Sequence, residues 1–204
     1  MLRTKEIVKL LHTSLIPEAH AQKRPRVYVA GPISGGSVLE VLENINRGNR
    51  VGVELMLRGY APFVPFHDFM HSMTIRQDRG ERLTVEDYYG TTIEYIQHCQ
   101  ALYVVPTADG YGGKWQDSTG TAREIHRAMY HEVPVILGDY DVLQYVAGTS
   151  QAESNRALAR LRDRGRIERL HGVYWFDGYP EHSDHVVEEL NEWYGKGFDQ
   201  FKAQ

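Results

Sequence analysis

Glu124 lies near the start of a predicted helix, where its carboxylate could take part in chemistry. Residues 117–124 read Asp-Ser-Thr-Gly-Thr-Ala-Arg-Glu, in which Ser118 is suited to cap a helix and Gly120 leaves room over the first turn. Glu124 follows Gly120 by four residues, so both lie on one helix face. A carboxylate would then lie one turn below a helix end that favours anions. An ordinary capped helix with a solvated glutamate fits the same pattern.

A second candidate segment is rich in glycine and continues the first apolar run of the chain. It reads Tyr28-Val-Ala-Gly31-Pro-Ile-Ser34-Gly35-Gly36. Glycine lets the backbone approach a ligand closely, and free N–H groups at a helix start attract an anion. The spacing matches neither the Walker A motif nor the dinucleotide-binding fingerprint. A tight turn that binds nothing is therefore the alternative.

Short apolar runs that alternate with helical patterns form the framework for both segments. Runs at residues 27–30, 101–105 and 133–137 predict buried strands, and residues 61–64 and 173–176 are weaker candidates. Helical patterns cover residues 37–58, 84–96, 154–164 and 184–194, and another helix begins near Ser118. This alternation predicts an α/β fold with an open five-stranded parallel sheet, flavodoxin- or Rossmann-like, in the order 2-1-3-4-5 with helices on both faces.

Such a sheet binds ligands beyond the carboxyl ends of its strands, at the point between strands 1 and 3 where the order reverses. Both glycine-rich segments should lie there. We predict an α/β domain over residues 26–180, an N-terminal helical extension over residues 1–25 and a C-terminal helix over residues 181–204. Residues 67–83 form a long connection, which is either a lid or contains a short helix.

Composition restricts the class of partner. The 204 residues have a net charge of −4, which is not typical of a dedicated nucleic-acid binder or of a protein of anionic membranes. The N-terminal apolar run is too short and too interrupted to span a membrane. The single cysteine, Cys99, cannot form an intrachain disulfide, which favours the cytoplasm. Cys99 itself is expected to be a small buried residue and not a nucleophile.

Histidine spacing offers little support for a metal site. His67 and His71 are four residues apart, but no third ligand and no His-Glu-x-x-His pattern accompanies them. We therefore expect no metal. His67 follows the second predicted strand, where it is expected to contact a ligand or to be a hydrogen-bonded loop residue.

Taken together, the two glycine-rich segments resemble the nucleoside 2-deoxyribosyltransferase superfamily. The matching phrases are Tyr-x-x-Gly-x-Ile-x-Gly-Gly after strand 1 and Ser-x-Gly-x-x-x-Glu at the helix after strand 3. Val-Pro-Val-Ile at strand 4 also fits, so the resemblance covers about residues 26–137. The chain is especially similar to the branch of deoxynucleoside 5′-monophosphate N-glycosidases.

The resemblance implies an enzyme that cleaves the N-glycosidic bond of a nucleoside or its 5′-monophosphate, as a hydrolase or a transferase, without a cofactor. Glu124 matches the glutamate nucleophile, and Tyr28 matches the tyrosine that orients it. The resemblance also implies a homodimer or higher homo-oligomer, with no nucleic-acid or membrane partner. The positions expected to contact the substrate are Gly31, Ser34, Gly35, Gly36, His67, Ser118 and Gly120.

Two positions depart from the family pattern. Thr92 occupies the place of an aspartate, and Ser34 replaces an arginine of the nucleotide-hydrolysing branch. A second acidic group is still expected, because a departing base needs a proton or a hydrogen bond. The candidates are Asp68, Asp87, Glu94 and Asp117. A nucleotide-binding or sensing module without turnover is the alternative function.

Overall fold

The chain folds into alternating strands and helices around one open sheet. The computed structural model describes residues 23–76, 79–106, 118–165, 167–170 and 172–176. The strands are β1 (Arg26–Ala30), β2 (Ala61–Phe63), β3 (Ala101–Val104), β4 (Val135–Leu137), β5 (Ile167–Leu170) and β6 (Val173–Phe176). The helices are α1 (Val38–Leu57), α2 (Phe69–Thr74), α3 (Val85–Thr92), α4 (Thr119–Tyr130), α5 (Tyr140–Ala147) and α6 (Gln151–Arg164). Turns of 3-10 helix cover Pro65–Asp68 and Ile93–His98.

The sheet confirms the predicted parallel order. Its strands run β2-β1-β3-β4-β6-β5, and the first five of these are mutually parallel. The fifth parallel strand in space is β6, at the predicted residues 173–176. The edge strand β5 was not predicted, and it pairs antiparallel with β6. It reads Ile-Glu-Arg-Leu after an arginine-rich helix, so nothing in its composition separates it from that helix.

Helices cover both faces of the sheet, as expected for parallel strands. On one face, α4 and the 3-10 turn Ile93–His98 pack on β1, β3 and β4, with Ile96, Ala122, Ile125 and Met129 buried. On the other face, α1, α5 and α6 pack on the same strands, with Leu55, Leu143 and Leu161 buried. The two clusters account for the nearly continuous apolar character of the central strands.

Capping residues define the helix boundaries near the site. Ser37 caps α1, which ends before Gly59 at a φ of 89°, a value that suits glycine. Thr84 and Asp87 form a reciprocal capping box at α3. Ser118 caps α4 by accepting a hydrogen bond from the Thr121 N–H. All three starts agree with the sequence pattern.

Several other boundaries differ from the expectations. The α-helix predicted to extend from residue 84 to 96 ends at Thr92 and continues as the 3-10 turn. Helix α5 was not predicted, and α6 begins at Gln151, earlier than expected. The connection after β2 contains the short helix α2. Residues 1–22 and the predicted C-terminal helix lie outside the described residues. No helix within the described ranges is long and apolar enough to cross a membrane.

Phe66 fixes the connection after β2 against the glycine-rich turn and α1. A Cβ atom at Gly31 would lie 3.1 Å from Cζ of Phe66, and one at Gly48 would overlap the Phe66 ring. Phe66 is almost fully buried. The two glycines therefore admit the ring between β1 and α1, and this packing places His67 and Asp68 just beyond the carboxyl end of β2.

Candidate functional site

A buried tyrosine–glutamate pair links the sheet to α4. The Tyr28 hydroxyl donates a hydrogen bond of 2.7 Å to Oε1 of Glu124, across 96 residues of sequence. Tyr28 lies in the middle of β1, and Glu124 lies in the second turn of α4. Glu124 is only 7% exposed and Tyr28 is fully buried. The structure thus brings together the two residues predicted to be the nucleophile and its orienting partner.

Packing holds both side chains of the pair in place. The Tyr28 ring stacks on Phe63 of β2 with ring centroids 5.5 Å apart. Helix α4 is fixed by its Ser118 cap and by Ala122 and Ile125, which pack into the core. Because these contacts set the helix register, Glu124 is directed at β1 and not at solvent.

The two oxygens of the Glu124 carboxyl group have different environments. Oε1 accepts the Tyr28 hydrogen bond, whereas Oε2 is buried and has no hydrogen-bond partner among the described residues. A buried oxygen without a partner is unusual and costs stability. No residue that the structure describes engages its lone pairs.

Burial also changes the acidity of the pair. It raises the pKa of Glu124 from 4.5 to about 8, and the hydrogen bond from Tyr28 acts in the opposite direction. Burial and the Glu124 charge raise the pKa of Tyr28 well above its usual value. The pair therefore exists at neutral pH mainly as a phenol and a protonated carboxyl group.

Thr92 lies beside this pair, at the place where the family resemblance implies an aspartate. Its hydroxyl donates a hydrogen bond of 3.0 Å to the Tyr88 carbonyl and is near enough to the Tyr28 hydroxyl to lower the pKa of the phenol. Thr92 is only 5% exposed. The Thr92 hydroxyl can form hydrogen bonds, but it carries no charge and is too weak an acid to protonate a leaving group.

Among the described residues, Asp68 is an acidic residue, besides Glu124, whose charge acts on Tyr28. Its charge raises the pKa of Tyr28, so the two groups are near enough to interact. Burial raises the pKa of Asp68 itself, and the neighbouring His71 and His67 oppose that rise. His71 Nδ1 lies 3.7 Å from the Asp68 carboxylate, and the His71 ring stacks on Tyr88.

The other candidates for the second acid have different roles. Asp87 is exposed and bound within the capping box of α3. Glu94 forms a salt bridge of 2.8 Å with Arg127. Asp117 lies outside the described residues. Sequence alone left all four open, because only the folded chain shows which carboxyl group is near Tyr28.

The glycine-rich turn already holds a carboxylate. The Gly36 N–H donates a hydrogen bond to Oε2 of Glu40, and the Ser34 carbonyl accepts one of 2.9 Å from Asn44. Ser34, Gly35 and Gly36 are exposed. The turn is thus tied to the first turns of α1. Glu40 was not singled out in the sequence, although it lies three residues after the Ser37 cap, where acidic residues are typical.

The first turn of α4 is more crowded than predicted. A Cβ atom at Gly120 would overlap the Tyr89 hydroxyl, so the expected space over Gly120 is occupied by the Tyr89 phenol. The Arg123 guanidinium lies over the Tyr89 ring, 5.1 Å from its centroid. Gly120 is needed here for the approach of α3 to α4.

His67 is exposed just beyond β2.

No cluster of three metal-ligating side chains occurs in the part of the chain that the structure describes.

Comparison with known proteins gives no family. No protein-family model matches the chain, and no curated protein sequence matches it. A crystal structure of a conserved protein from Enterococcus faecalis V583 is similar, with 14% identity over 83% of this chain and 98% of that chain and a TM-score of 0.37.

Proposed function

We propose that the protein cleaves the N-glycosidic bond of a nucleoside or a nucleoside 5′-monophosphate, with Glu124 as the nucleophile. The family resemblance and the geometry of the Tyr28–Glu124 pair both support this function. The small-molecule substrate would bind beyond the carboxyl end of β1, near the glycine-rich turn and the start of α4.

The observation that most supports the proposal is the asymmetry of the Glu124 carboxyl group. Tyr28 fixes Oε1 at 2.7 Å, while Oε2 has no hydrogen-bond partner among the described residues. A nucleophile needs one oxygen held in orientation and the other free of hydrogen bonds, so that its lone pair can form a bond when a substrate reaches it. A glutamate with a purely structural role would be expected to have both oxygens satisfied.

The proposed reaction balances as in retaining glycosidases. Ionised Glu124 attacks the anomeric carbon through Oε2, and an ester bond to the sugar forms as the bond from the sugar to the base nitrogen breaks. The bonding electrons leave with the base, which takes up a proton. Water then attacks the anomeric carbon as the ester bond breaks, and one proton of the water returns to the group that protonated the base. This step releases the sugar and regenerates the carboxylate. In a transferase, a second base replaces the water.

Asp68 is the residue that we assign to proton delivery. Burial raises its pKa, and its charge acts on Tyr28 from the connection after β2. General acid catalysis of this kind requires a positioned carboxyl group within reach of the leaving base. The proposed reaction needs neither a metal nor an organic cofactor.

The cellular setting is part of the same proposal. We place the enzyme in the cytoplasm, since its single cysteine suits a reducing compartment. We propose that it forms a homodimer or a higher homo-oligomer.

A nucleotide-binding or sensing module is the second candidate function. Thr92 cannot replace an aspartate in acid–base chemistry, and a pKa of about 8 leaves Glu124 mainly protonated at neutral pH. Both observations suit a pocket that binds without turnover. The partnerless Oε2 favours the enzyme.

Chromatographic product analysis distinguishes the two functions. The purified protein is incubated with ribo- and deoxynucleosides and their 5′-monophosphates, with and without a second free base. Glu124→Gln removes the nucleophile at constant size, and Glu94→Gln serves as the matched control because Glu94 is exposed and bridged to Arg127. We expect the wild type and the control to release free base, and Glu124→Gln to be slower by at least roughly 1,000-fold.

A 2′-fluorinated nucleoside adds a test for the covalent step. Fluorine slows the breakdown of a glycosyl ester, so intact-protein mass spectrometry should show one attached sugar in the wild type and none in Glu124→Gln. Absence of turnover across the panel, together with a ligand-induced rise in Tm in both proteins, would establish the binding module instead.

A further inference from the structure

The outer face of α1 exposes a row of large apolar side chains. Leu39, Leu42, Val53 and Met56 are 71%, 48%, 52% and 49% exposed. With Asn46 and Asn49 between them, these residues follow one another at alternating intervals of three and four positions. That interval is the spacing of a coiled-coil seam. We call this row the α1 seam.

The α1 seam lies away from the core. The core side of α1 is formed by Gly48, Val51, Gly52 and Leu55, which are buried. The four apolar seam residues and Asn46 are exposed on the opposite side, and Asn49 is half-buried with its Oδ1 atom covered. The helix thus has two apolar stripes, only one of which packs against the described residues. A soluble domain seldom leaves such a stripe in water unless it forms an interface.

We propose that the α1 seam binds the α1 seam of a second copy of this chain, with the two helices antiparallel about a two-fold axis. Reversing the direction of one helix places Leu39 against Met56, Leu42 against Val53 and Asn46 against Asn49. Every apolar position then meets an apolar one, and the amides meet at the centre. Self-complementarity of this kind is what a two-fold interface requires.

The charges beside the seam fit the same arrangement. Glu43 and Arg50 flank the seam on one side of α1, and in an antiparallel pair Glu43 of one copy faces Arg50 of the other. The two-fold axis produces this contact twice. Within the described residues, Glu43 acts electrostatically on Arg47 of the same helix, and Arg50 has no salt bridge. A parallel pair would place Val38 and Ile45 beside these charges and leave them without an opposite charge.

The interface is independent of the proposed chemistry but adjoins the same region. Antiparallel packing places the end of one α1 beside the start of the other, next to Ser37 and the Gly36 turn. Dimer formation would therefore restrain the glycine-rich turn, whichever function the site performs.

Sedimentation velocity of the full chain over a concentration series tests the interface. We expect the wild type to be a dimer and Leu42→Lys to be a monomer that keeps the native circular dichroism spectrum. Leu83→Lys is the matched control, since Leu83 is 46% exposed and Leu42 is 48% exposed. The control should remain a dimer.

A charge exchange tests the antiparallel register. Glu43→Arg or Arg50→Glu alone should each raise the dimer Kd by about tenfold or more, because each creates two like-charge contacts. Combining them restores opposite charges and should restore the wild-type Kd. Rescue by the double variant is not expected from a general loss of stability.

Three results would overturn the proposal. The first is a wild type that stays monomeric at high concentration. The second is a dimer that persists unchanged in Leu42→Lys, and the third is a charge exchange without rescue. A chain that becomes dimeric only after deletion of residues 1–22 would show that this segment covers the seam instead.

Discussion

Replacing Glu124 by glutamine should change how the stability of the protein depends on pH. The folded state holds the Glu124 proton up to a pH of about 8, whereas the unfolded chain releases it near 4.5. Ionisation of Glu124 therefore favours the unfolded chain as the pH rises between these two values. Glutamine has no proton to lose, so Glu124→Gln should escape this loss of stability.

The size of the effect follows from the two pKa values. Each pH unit between 4.5 and about 8 lowers the unfolding free energy of the wild type, relative to the variant, by about 1.4 kcal/mol. The accumulated difference is on the order of 5 kcal/mol and should level off above pH 8. The glutamine NH₂ group would occupy the place of the partnerless Oε2 and cost about 1–3 kcal/mol. That cost is the same at every pH, so it does not alter the slope.

Urea denaturation followed by far-UV circular dichroism measures this difference between pH 5 and pH 9. The unfolding free energy of Glu124→Gln, relative to that of the wild type, should rise steadily up to about pH 8. Glu94→Gln is the control, because the Glu94 side chain is 53% exposed and its replacement removes the same charge without touching the buried pair. Its difference from the wild type should show no comparable slope.

A constant difference between Glu124→Gln and the wild type across this range would refute the reasoning. It would mean that the Glu124 carboxyl group ionises in the folded protein as it does in water. Burial of Oε2 would then not occur in solution, and the orientation assigned to the nucleophile would be lost with it.

Three further predictions concern the reaction. Tyr28→Phe removes the hydrogen bond that lowers the pKa of Glu124, so the rising limb of kcat/KM against pH should move to higher pH by about one unit. A limb at the same pH in both proteins would show that Tyr28 does not control the ionisation of Glu124. Asp68→Asn should reduce kcat roughly 100-fold or more for ordinary nucleosides, but little for a 7-methylated purine nucleoside, whose base leaves without protonation. Equal losses for both substrates would exclude proton delivery by Asp68. Glu40→Gln removes the negative charge held by the Gly36 N–H and should lower KM for 5′-monophosphates about fivefold without changing KM for nucleosides.

The parts of the fold that sequence predicted well are those with strong local signals. Buried parallel strands such as β1 and β3 are continuous apolar runs, and Ser37, Thr84 and Ser118 are side chains that cap helices through their own backbone neighbours. Helix α5 is only eight residues long, and β5 is a polar edge strand, so their identity depends on α6 and β6. Local patterns carry little information about such elements.

The candidate site shows the same division. Glu124 was predicted as a site residue from its place in a capped helix and from the family resemblance, and the structure places it in hydrogen-bond contact with Tyr28. The choice of Asp68 over the other acidic residues required tertiary structure, because proximity to Tyr28 depends on the connection after β2. The Tyr89 phenol over Gly120 was hidden for the same reason, since α3 and α4 meet only in the folded chain.

The close packing of Phe66 makes the position of Asp68, the proposed proton donor, sensitive to substitutions at residues that do not contact it. Gly31 and Gly48 both lie against the Phe66 ring, and Asp68 follows that ring by two residues. A methyl group added at Gly48 would push the ring away from α1 and carry Asp68 with it. During evolution, a substitution at Gly48 would therefore require a smaller side chain at position 66. Residues 48 and 66 should then vary together among relatives that use the same acid, although neither touches the substrate.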